Sequence, residues 1–241
     1  VNGTGSASAN GMFAKAIFRM GIPVSPRNIF PSNIQGLPTW YEVRISRDGY
    51  LGRRGGIDMM VSVNPQSFAK DVGEVEPGGY MLYDSTKPLD LRHVRRDIHY
   101  LGIPLTEMCL REYTDSRQRQ LFKNVIYVGA LSALLNIDFA ILKDLVGEQF
   151  KGKEKLITPN IHALEMGHQY ATTHFECPLG IHLKAGEQTP KHIQEFDQIL
   201  MDGNTAAALG AVYAGDTVAA WYPITPSTSV VDAFEKYCRR L

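Results

Sequence analysis

Residues 203–229 of the chain read GNTAAALGAVYAGDTVAAWYPITPSTS, and the order of elements in this stretch decides the fold class. The alanine-rich part from Asn204 to about Tyr213 predicts a helix. Gly215 and Asp216 predict a turn into a strand, Thr217 to Trp221, and Val230 to Leu241 is helical again. A helix, a strand, a loop and a second helix in this order indicate an α/β unit.

The loop between the predicted strand and the last helix is framed by two prolines, Pro223 and Pro226. Hydroxyl side chains stand at positions 225, 227, 228 and 229, beside the start of the helix. In open α/β sheets, ligands bind where loops leave the carboxyl ends of strands. Hydroxyl and amide donors at a helix start suit a carboxylate or a diphosphate. Ordinary helix capping is an alternative for Ser227 or Thr228, but it does not account for the whole block.

Upstream of this stretch, strand patterns alternate with helical ones, which predicts a mostly parallel sheet flanked by helices. The predicted strands are Trp40 to Ser46, Ile57 to Val63, Tyr80 to Tyr83 and Asp97 to Leu101. The predicted helices are Ala9 to Met20, Pro65 to Val72, Ser116 to Leu135, Asp138 to Phe150, Asn160 to Thr172 and Pro190 to Met201. Ser116, Asp138 and Asn160 are expected to cap the helices that they begin. Periodicity is lost after residue 172, so we predict a first domain over 1–172, a linker over 173–196 and a second domain over 197–241.

Composition excludes several classes of function. The 241 residues carry 25 Lys and Arg against 25 Asp and Glu, which does not favour binding to nucleic acid or to an anionic membrane. The apolar runs are too short for a membrane-spanning helix. Cys109, Cys177 and Cys238 lie far apart, so this chain alone is not expected to bind zinc, an iron–sulfur cluster or another cofactor. An odd cysteine count without a secretory signal predicts a cytoplasmic protein.

Two further features of the sequence are candidate ligand-binding sites. The turn Gly3 to Ser6 could cradle a phosphate at a helix start, or it could be a tight strand-to-helix crossover. The basic cluster Arg92 to Arg96 could meet a phosphate-bearing ligand such as coenzyme A, or it could be a solvated surface or a subunit interface. A free-standing dinucleotide-binding dehydrogenase would need an acidic residue about 20 residues after the turn, where Arg27 and Asn28 stand instead.

The segment GNTAAALGA, followed by YPITPS, resembles the opening of the thiamine-diphosphate pyrimidine-binding domain of 2-oxoacid:ferredoxin oxidoreductases. The upstream part is similar to the γ domain of that family. It shares the glycine-rich opening turn, the segment PSNIQGLPTWYEVRIS and the helix KNVIYVGALSALLNID. The order of γ before α, and the variant Gln35 to Thr39, resemble the 2-oxoglutarate type more than the pyruvate type.

The resemblance implies roles for single residues of the loop. Thr225 matches the threonine that contacts the substrate 2-oxoacid, so it is the expected catalytic residue. The residues expected to bind substrate are Tyr222, Pro223, Ile224, Thr225 and Pro226, and Ser227 is the residue expected to contact the cofactor.

The resemblance also implies the reaction and the partners. The reaction would be oxidative decarboxylation of a 2-oxoacid, with 2-oxoglutarate favoured, to acyl-coenzyme A, carbon dioxide and reduced ferredoxin. The cofactors would be thiamine diphosphate with Mg²⁺ and a 4Fe–4S cluster, whose ligands lie mostly in a partner β subunit. Coenzyme A would be the co-substrate, ferredoxin the electron acceptor, and the assembly an (αβ)2 hetero-oligomer.

One departure from the family pattern limits this reading. The glutamate that would act on the aminopyrimidine should follow Ser229 at a long distance, and Glu235, six residues on, is too close. We therefore expect the chain to be a fragment of the subunit. The alternative function is a non-catalytic γ-type module that acts in assembly or binding.

Overall fold

The computed structural model describes residues 5–29, 38–46, 48–184, 199–224 and 226–241. The chain divides into two compact units, residues 1–194 and residues 195–241. The ends of the predicted first domain and linker, at residues 172 and 196, remain a prediction. The helices of the first unit are α1 (Ser6–Arg19), α2 (Phe68–Glu74), α3 (Leu105–Glu112), α4 (Ser116–Leu134), α5 (Phe139–Gln149) and α6 (Glu154–His174). Its strands are β1 (Val24–Ile29), β2 (Trp40–Ile45), β3 (Ile57–Ser62), β4 (Val75–Asp84) and β5 (His99–Ile103).

The strands of the first unit form two sheets. β3, β4 and β5 are parallel and lie in that order, with Met60 opposite Met81 and Met81 opposite Tyr100. β1 and β2 form an antiparallel ribbon in which Val24 lies opposite Ile45. α2 lies in the crossover from β3 to β4, and the crossover from β4 to β5 contains only a short 3-10 turn, Leu91–His93. The prediction of an α/β fold with a mostly parallel sheet between helices is confirmed.

Helix α4 forms the centre of the first unit. From Phe122 to Leu134 every residue except Lys123 is buried, so the helix is covered on all sides rather than on one stripe. α1 and α3 pack against it, and α6 crosses it over a long contact. The side chains at the heart of this core include Ile17, Ile103, Ile126, Leu134 and Leu164.

Two glycines allow α4 and α6 to approach until their backbones touch. A Cβ atom added to Gly129 would lie 2.0 Å from the carbonyl oxygen of Leu164. One added to Gly167 would lie 1.8 Å from the carbonyl oxygen of Ile126. Because the obstacle is backbone in both cases, a side chain at either position requires the helices to separate.

A polar pair of the buried Ser132 and the half-buried His168 lies beside this crossing. The Ser132 hydroxyl donates to the Gly129 carbonyl at 2.6 Å, so its oxygen accepts from the His168 Nδ1–H at 2.9 Å. The His168 ring lies 4.6 Å from the Phe139 ring, centroid to centroid. Lys143 lies over the same Phe139 ring and forms an ion pair with Glu165. Burial lowers the pKa of His168 below its ordinary value of 6.5.

Of the three predicted helix caps, one is confirmed and two are wrong. Asp138 caps α5, as predicted, by accepting from the Ala140 N–H at 2.9 Å. Ser116 was predicted to cap α4, which is wrong, because Asp115 accepts from the Gln118 N–H at 2.8 Å. Asn160 was predicted to cap α6, which is also wrong. The helix begins at Glu154, and Asn160 lies inside it, donating to the Leu156 carbonyl at 2.7 Å.

Two strand predictions also differ from the structure. β1 contains Pro26 and was not predicted, and proline is tolerated there because β1 pairs with β2 alone among the described strands. The predicted strand over 217–221 is wrong, since this segment is irregular and exposed. Of the predicted helix over 190–201, residues 190–198 lie outside the described residues, and 199–201 are not helical.

The described part of the predicted linker packs on the first unit. Residues 175–184 form neither helix nor strand. The Leu179 and Leu183 N–H groups donate to the carbonyls of Leu134 and Leu135, at 2.8 and 2.9 Å. Leu179 is buried, so this segment covers the carboxyl end of α4.

The second unit contains two helices among its described residues, α7 (Gly203–Tyr213) and α8 (Thr228–Cys238). They pack against each other, and Ala208 and Phe234 are buried. Across the described parts of both units, no helix has the length and apolar character needed to span a bilayer.

Replacing either glycine of the α4–α6 crossing should destabilise the first unit. We expect Gly129→Ala and Gly167→Ala each to lower the free energy of unfolding by about 3 kcal/mol, because the added methyl group meets backbone. The matched control is Gly147→Ala in α5, where no atom lies within 4 Å of the added Cβ. This change should be neutral or stabilise by about 0.5–1 kcal/mol. Urea unfolding measures all three, and equal effects at the three positions would contradict the crossing.

The half-buried His168 should make stability depend on pH. Its pKa is lower in the folded state than in the unfolded state, so on acidification the unfolded chain takes up the proton first. The free energy of unfolding should therefore fall as pH drops below about 6.5, until the pH passes the folded-state pKa. Urea unfolding from about pH 8 to about pH 5 measures this slope. In His168→Gln the slope should be smaller, and an unchanged slope would refute the assignment.

Candidate functional site

The proline-framed loop occupies residues 222–229 at the start of α8. Its backbone is held by a network of short-range hydrogen bonds. The Ile224 N–H donates to the Tyr222 carbonyl, and the Ser227 N–H donates to the Ile224 carbonyl, both at 2.8 Å. The described residues on either side of Thr225 are therefore held by hydrogen bonds, although no strand precedes them among the described residues.

Ser227 stabilises the loop rather than the helix that follows. Its hydroxyl lies 2.6 Å from the Ile224 carbonyl oxygen and 3.1 Å from the Tyr222 carbonyl oxygen, and it donates toward them. It accepts no bond from the first turn of α8, and its backbone is already helical there. The capping reading of Ser227 is therefore wrong, because a hydroxyl that points back into the loop cannot reach the helix N–H groups.

Asn204 ties the loop to the start of α7. Its side-chain amide donates to the Pro226 carbonyl at 2.9 Å and to the Ser229 hydroxyl at 2.7 Å. Asp202 fixes the same end of α7 by accepting from the Thr205 N–H and hydroxyl, at 2.9 and 2.7 Å. These bonds lower the pKa of Asp202. Asn204, the second residue of the GN dipeptide, thus connects the start of α7 to the loop through its side chain.

The predicted site residues are placed as follows. Tyr222 is 79% exposed, Ile224 is 50% exposed, and Pro223 is exposed between them. Pro226 is exposed, with its carbonyl bonded to Asn204 and Ser229. Thr225 lies outside the described residues. The structure thus brings Tyr222, Pro223, Ile224 and Pro226 together on one accessible loop, but it places Ser227 as a support for that loop.

A second polar cluster, which sequence reasoning missed, lies at the carboxyl end of β4. The Asp84 carboxylate accepts from the Thr86 N–H and hydroxyl, at 3.2 and 2.7 Å, and from the Thr106 N–H at 3.2 Å. The Thr106 hydroxyl and the Lys123 ammonium also donate to it, the latter at 3.1 Å. The only signal in the sequence was an acidic residue that ends a predicted strand.

This cluster connects three elements. Thr106 lies in the first turn of α3, whose N–H groups favour a carboxylate, and Lys123 comes from α4. Burial alone would raise the pKa of Asp84, but the bonds from Thr106 and Thr86 and the charge of Lys123 outweigh it, so the pKa is lowered. Because five donors occupy the carboxylate, Asp84 acts as an anchor and has no lone pair left for a substrate proton.

Cys109 lies close to this cluster, but it is not a nucleophile. The side chain is buried, and burial raises the pKa of its thiol to about 11. At neutral pH the thiol therefore stays protonated, and only the thiolate attacks or binds metals well. Within the described ranges, no group of three or more His, Cys, Asp or Glu side chains is placed to bind a metal.

The basic cluster at 92–96 is engaged by its own neighbours. Arg92 pairs with Asp90 at 2.6 Å. Arg95 pairs with Asp97 at 2.6 Å and donates to the carbonyls of Val72 and Val75, at 2.9 and 2.6 Å. Arg95 thus stabilises the carboxyl end of α2, where a cation is favoured. Because these arginines already pair with neighbouring acidic groups and carbonyls, the contacts favour a role in holding the fold over a phosphate-binding site.

A large cleft of about 2000 Å³ opens in the first unit. β2, the segment 57–63, α1 and α4 all contribute residues to its lining. The residues of α1 and α4 that face it include Phe13, Tyr127 and Leu131. Its volume is about twice that of a large small-molecule pocket.

The fold of the first unit agrees with that of known oxidoreductase γ subunits. The crystal structure of a keto/oxoacid ferredoxin oxidoreductase γ subunit from Geobacter sulfurreducens covers 72% of this chain and 95% of its own, with a TM-score of 0.55 and 20% identity. Residues 1–170 match the pyruvate ferredoxin/flavodoxin oxidoreductase family. The chain belongs to this family.

Longer relatives cover both units. Subunit alpha of 2-oxoacid:ferredoxin oxidoreductase 2 from Aeropyrum pernix is 25% identical over 98% of this chain and 41% of its own length. A 2-oxoglutarate:ferredoxin oxidoreductase structure from Magnetococcus marinus, with 2-oxoglutarate, coenzyme A and succinyl-CoA bound, covers 99% of this chain with a TM-score of 0.81 and 25% identity. It is covered over 40% of its own length. The chain spans about two fifths of these proteins.

Loss of the Asn204 side chain should loosen the loop without unfolding α7. Asn204→Ala removes the two bonds to Pro226 and Ser229 but leaves the Asp202 cap intact. We expect the amide protons of Ile224 and Ser227 to exchange at least about tenfold faster, as the loss of about 1.4 kcal/mol of local stability implies. Hydrogen exchange followed by NMR measures this, with the amides of 206–212 as the internal control. Unchanged exchange in the loop would show that Asn204 does not hold it.

Proposed function

We propose that this chain forms part of the γ–α subunit of a 2-oxoacid:ferredoxin oxidoreductase that acts on 2-oxoglutarate. The single observation that carries the proposal is the loop from Tyr222 to the start of α8. Its Ile224 and Pro226 carbonyls accept hydrogen bonds, while the side chains of Tyr222 and Ile224 stay exposed. A fixed backbone with exposed side chains is the arrangement that a substrate-positioning loop needs.

The expected role of Thr225 fits the state of its neighbours in sequence. The Ile224 carbonyl accepts from Ser227, and the Pro226 carbonyl accepts from Asn204 and Ser229. The carbonyl of the residue before Thr225 and the carbonyl of the residue after it are therefore both restrained. We propose that the Thr225 hydroxyl donates to the carboxylate or the keto oxygen of the 2-oxoacid, and that Tyr222, Pro223 and Ile224 form the wall beside it.

The substrate assignment is supported by similarity. The Magnetococcus marinus protein that matches over both units is named as a 2-oxoglutarate enzyme, and its structure contains 2-oxoglutarate and coenzyme A. We propose that the present chain serves the same reaction, which converts the 2-oxoacid and coenzyme A to acyl-coenzyme A and carbon dioxide and reduces ferredoxin.

The cofactors are part of the same proposal. Thiamine diphosphate, when bound, supplies the carbanion chemistry, and the chain's own loop would orient the substrate and shield it from water. The exposed apolar surface of Tyr222 and Ile224 fits a wall against a flat ring. We assign the Mg²⁺ and the 4Fe–4S cluster to a partner β subunit, within an (αβ)2 cytoplasmic assembly.

The role of Thr225 is tested by Thr225→Val in the complete enzyme complex. Valine keeps the branched shape and removes the hydroxyl. A hydrogen bond to a charged group contributes roughly 1.5–3 kcal/mol, so kcat/KM for 2-oxoglutarate should fall about 10- to 150-fold. Thiamine diphosphate occupancy, measured on the purified complex, should stay unchanged.

The matched control is Thr228→Val, the same chemical change three residues further along the chain. It lies in the first turn of α8 and should change kcat/KM less than about twofold. If Thr225→Val turns over normally at limiting substrate, the loop threonine does not contact the 2-oxoacid. If both variants lose activity equally, the effect belongs to loop stability instead.

A further inference from the structure

The described part of the loop at 222–229 is held by hydrogen bonds rather than by burial of its side chains. Tyr222, Ile224 and Pro226 are all exposed. Exposed side chains contribute little hydrophobic stabilisation, because that contribution grows with the apolar area removed from water. The hydrogen bonds to the backbone of the loop therefore determine where it lies.

These hydrogen bonds come from two different places. The hydroxyls of Ser227 and Ser229 donate to carbonyls of the loop itself, so they join the loop to itself. Asn204 belongs to the first turn of α7, and its side-chain amide donates to the Pro226 carbonyl at 2.9 Å and to the Ser229 hydroxyl at 2.7 Å. The two serines can fix the shape of the loop, whereas Asn204 fixes its position relative to α7.

The Asn204 side chain does not serve to start α7. Asp202 caps this helix by accepting from the Thr205 N–H at 2.9 Å, and it also accepts from the Thr205 hydroxyl at 2.7 Å. Asparagine is a weaker helix former than alanine, so the helix gains little from it. Both of the side-chain bonds described above run to the loop and its junction with α8. The side chain therefore acts on the loop and not on its own helix.

The carbonyl that Asn204 holds is close along the chain to position 225. The Pro226 ring fixes the rotation about its own N–Cα bond, and the peptide bond before it is planar. Between the held carbonyl and that peptide bond, only the Cα–C bond of Pro226 can therefore rotate. A proline also narrows the backbone freedom of the residue before it. A bond that fixes the Pro226 carbonyl thus limits the positions that the Thr225 side chain can take.

From these contacts we infer that Asn204 is a positioning residue for the 2-oxoacid, acting through the Pro226 carbonyl on the Thr225 hydroxyl. The inference rests on the proposed function, in which that hydroxyl donates to the substrate. A displacement of about 1 Å near a reacting group can lower a rate about 100-fold, so one bond that fixes the loop can have a large effect. Asn204 itself does not touch the substrate in this arrangement.

The test compares Asn204→Ala, Thr225→Val and the double variant in the complete enzyme complex. Asn204→Ala should lower kcat/KM for 2-oxoglutarate about 5- to 20-fold, because the threonine is no longer held in place. In the Thr225→Val background the same change should cost less than about twofold, since the hydroxyl that Asn204 positions is already absent. The matched control is Thr205→Val, which removes a side-chain bond at the same end of α7 that does not reach the loop. It should change kcat/KM less than about twofold.

Asn204→Asp separates positioning from helix stability. Aspartate keeps the shape of the side chain, but its carboxylate only accepts hydrogen bonds, so both bonds to the loop are lost. A negative charge in the first turn of a helix is favourable, so α7 should be at least as stable as before. We expect kcat/KM to fall about as far as in Asn204→Ala. The amides of 206–212, followed in the complex by hydrogen exchange and mass spectrometry, should stay as protected as in the unmodified protein.

The variants distinguish failure of the inference from failure of the proposed function. Normal turnover by Thr225→Val contradicts the proposed function and, with it, the role of Asn204. A loss in Thr225→Val without a loss in either Asn204 variant leaves the proposed function intact and overturns the inference alone. Equal fold losses from Asn204→Ala in both backgrounds also overturn it, because Asn204 then acts elsewhere than on the threonine. If neither Asn204 variant assembles with thiamine diphosphate bound, the residue serves folding and the inference is wrong.

Discussion

The first unit depends on the contact between the backbones of α4 and α6. At Gly129 and Gly167 there is no room for a single methyl group, because the facing carbonyl oxygens of Leu164 and Ile126 would lie within about 2 Å of it. This close approach positions Ser132 beside His168 and lets α4 be buried on all sides. The other helices of the unit then pack on α4, whose position is fixed by backbone contacts rather than by adaptable side chains.

Helix α4 also contacts the carboxyl end of the parallel sheet. Lys123 is the one residue of α4 between Phe122 and Leu134 that is not buried, and its ammonium reaches Asp84 at the end of β4 and the Thr106 hydroxyl at 2.5 Å in α3. The position of α4 therefore sets where the carboxyl ends of the strands lie. Five donors converge on Asp84, so the strand end, the start of α3 and α4 are held together by one charged group. The pKa of Asp84 is lowered because these donors favour the charged form.

The sequence predicted the elements whose signals are local. Asp138 caps α5 as expected, since an acidic residue before an apolar run acts within its own turn. The α6 start failed because Asn160 is a good cap in isolation, whereas Pro159 is accommodated inside the helix at the loss of one hydrogen bond. β1 was missed because Pro26 argues against a strand unless the strand lies at an edge, and being at an edge is a property of the whole fold.

In the candidate site, too, features that depend on neighbouring residues could be predicted, and contacts between residues far apart in sequence could not. The proline-framed block predicted an ordered, accessible loop, and the exposed Tyr222 and Ile224 agree with it. The direction of the Ser227 hydroxyl could not be predicted, because a serine before a helix either caps it or donates backward, and backbone torsion decides. The partners of Asp84 lie up to 39 residues away, so no spacing rule could join them. Asn204 holds Pro226 over 22 residues, and only the packing of α7 on α8 brings the two into contact. A loop signature thus indicates where a site is, while the atoms that hold it in place come from elements that pack against it.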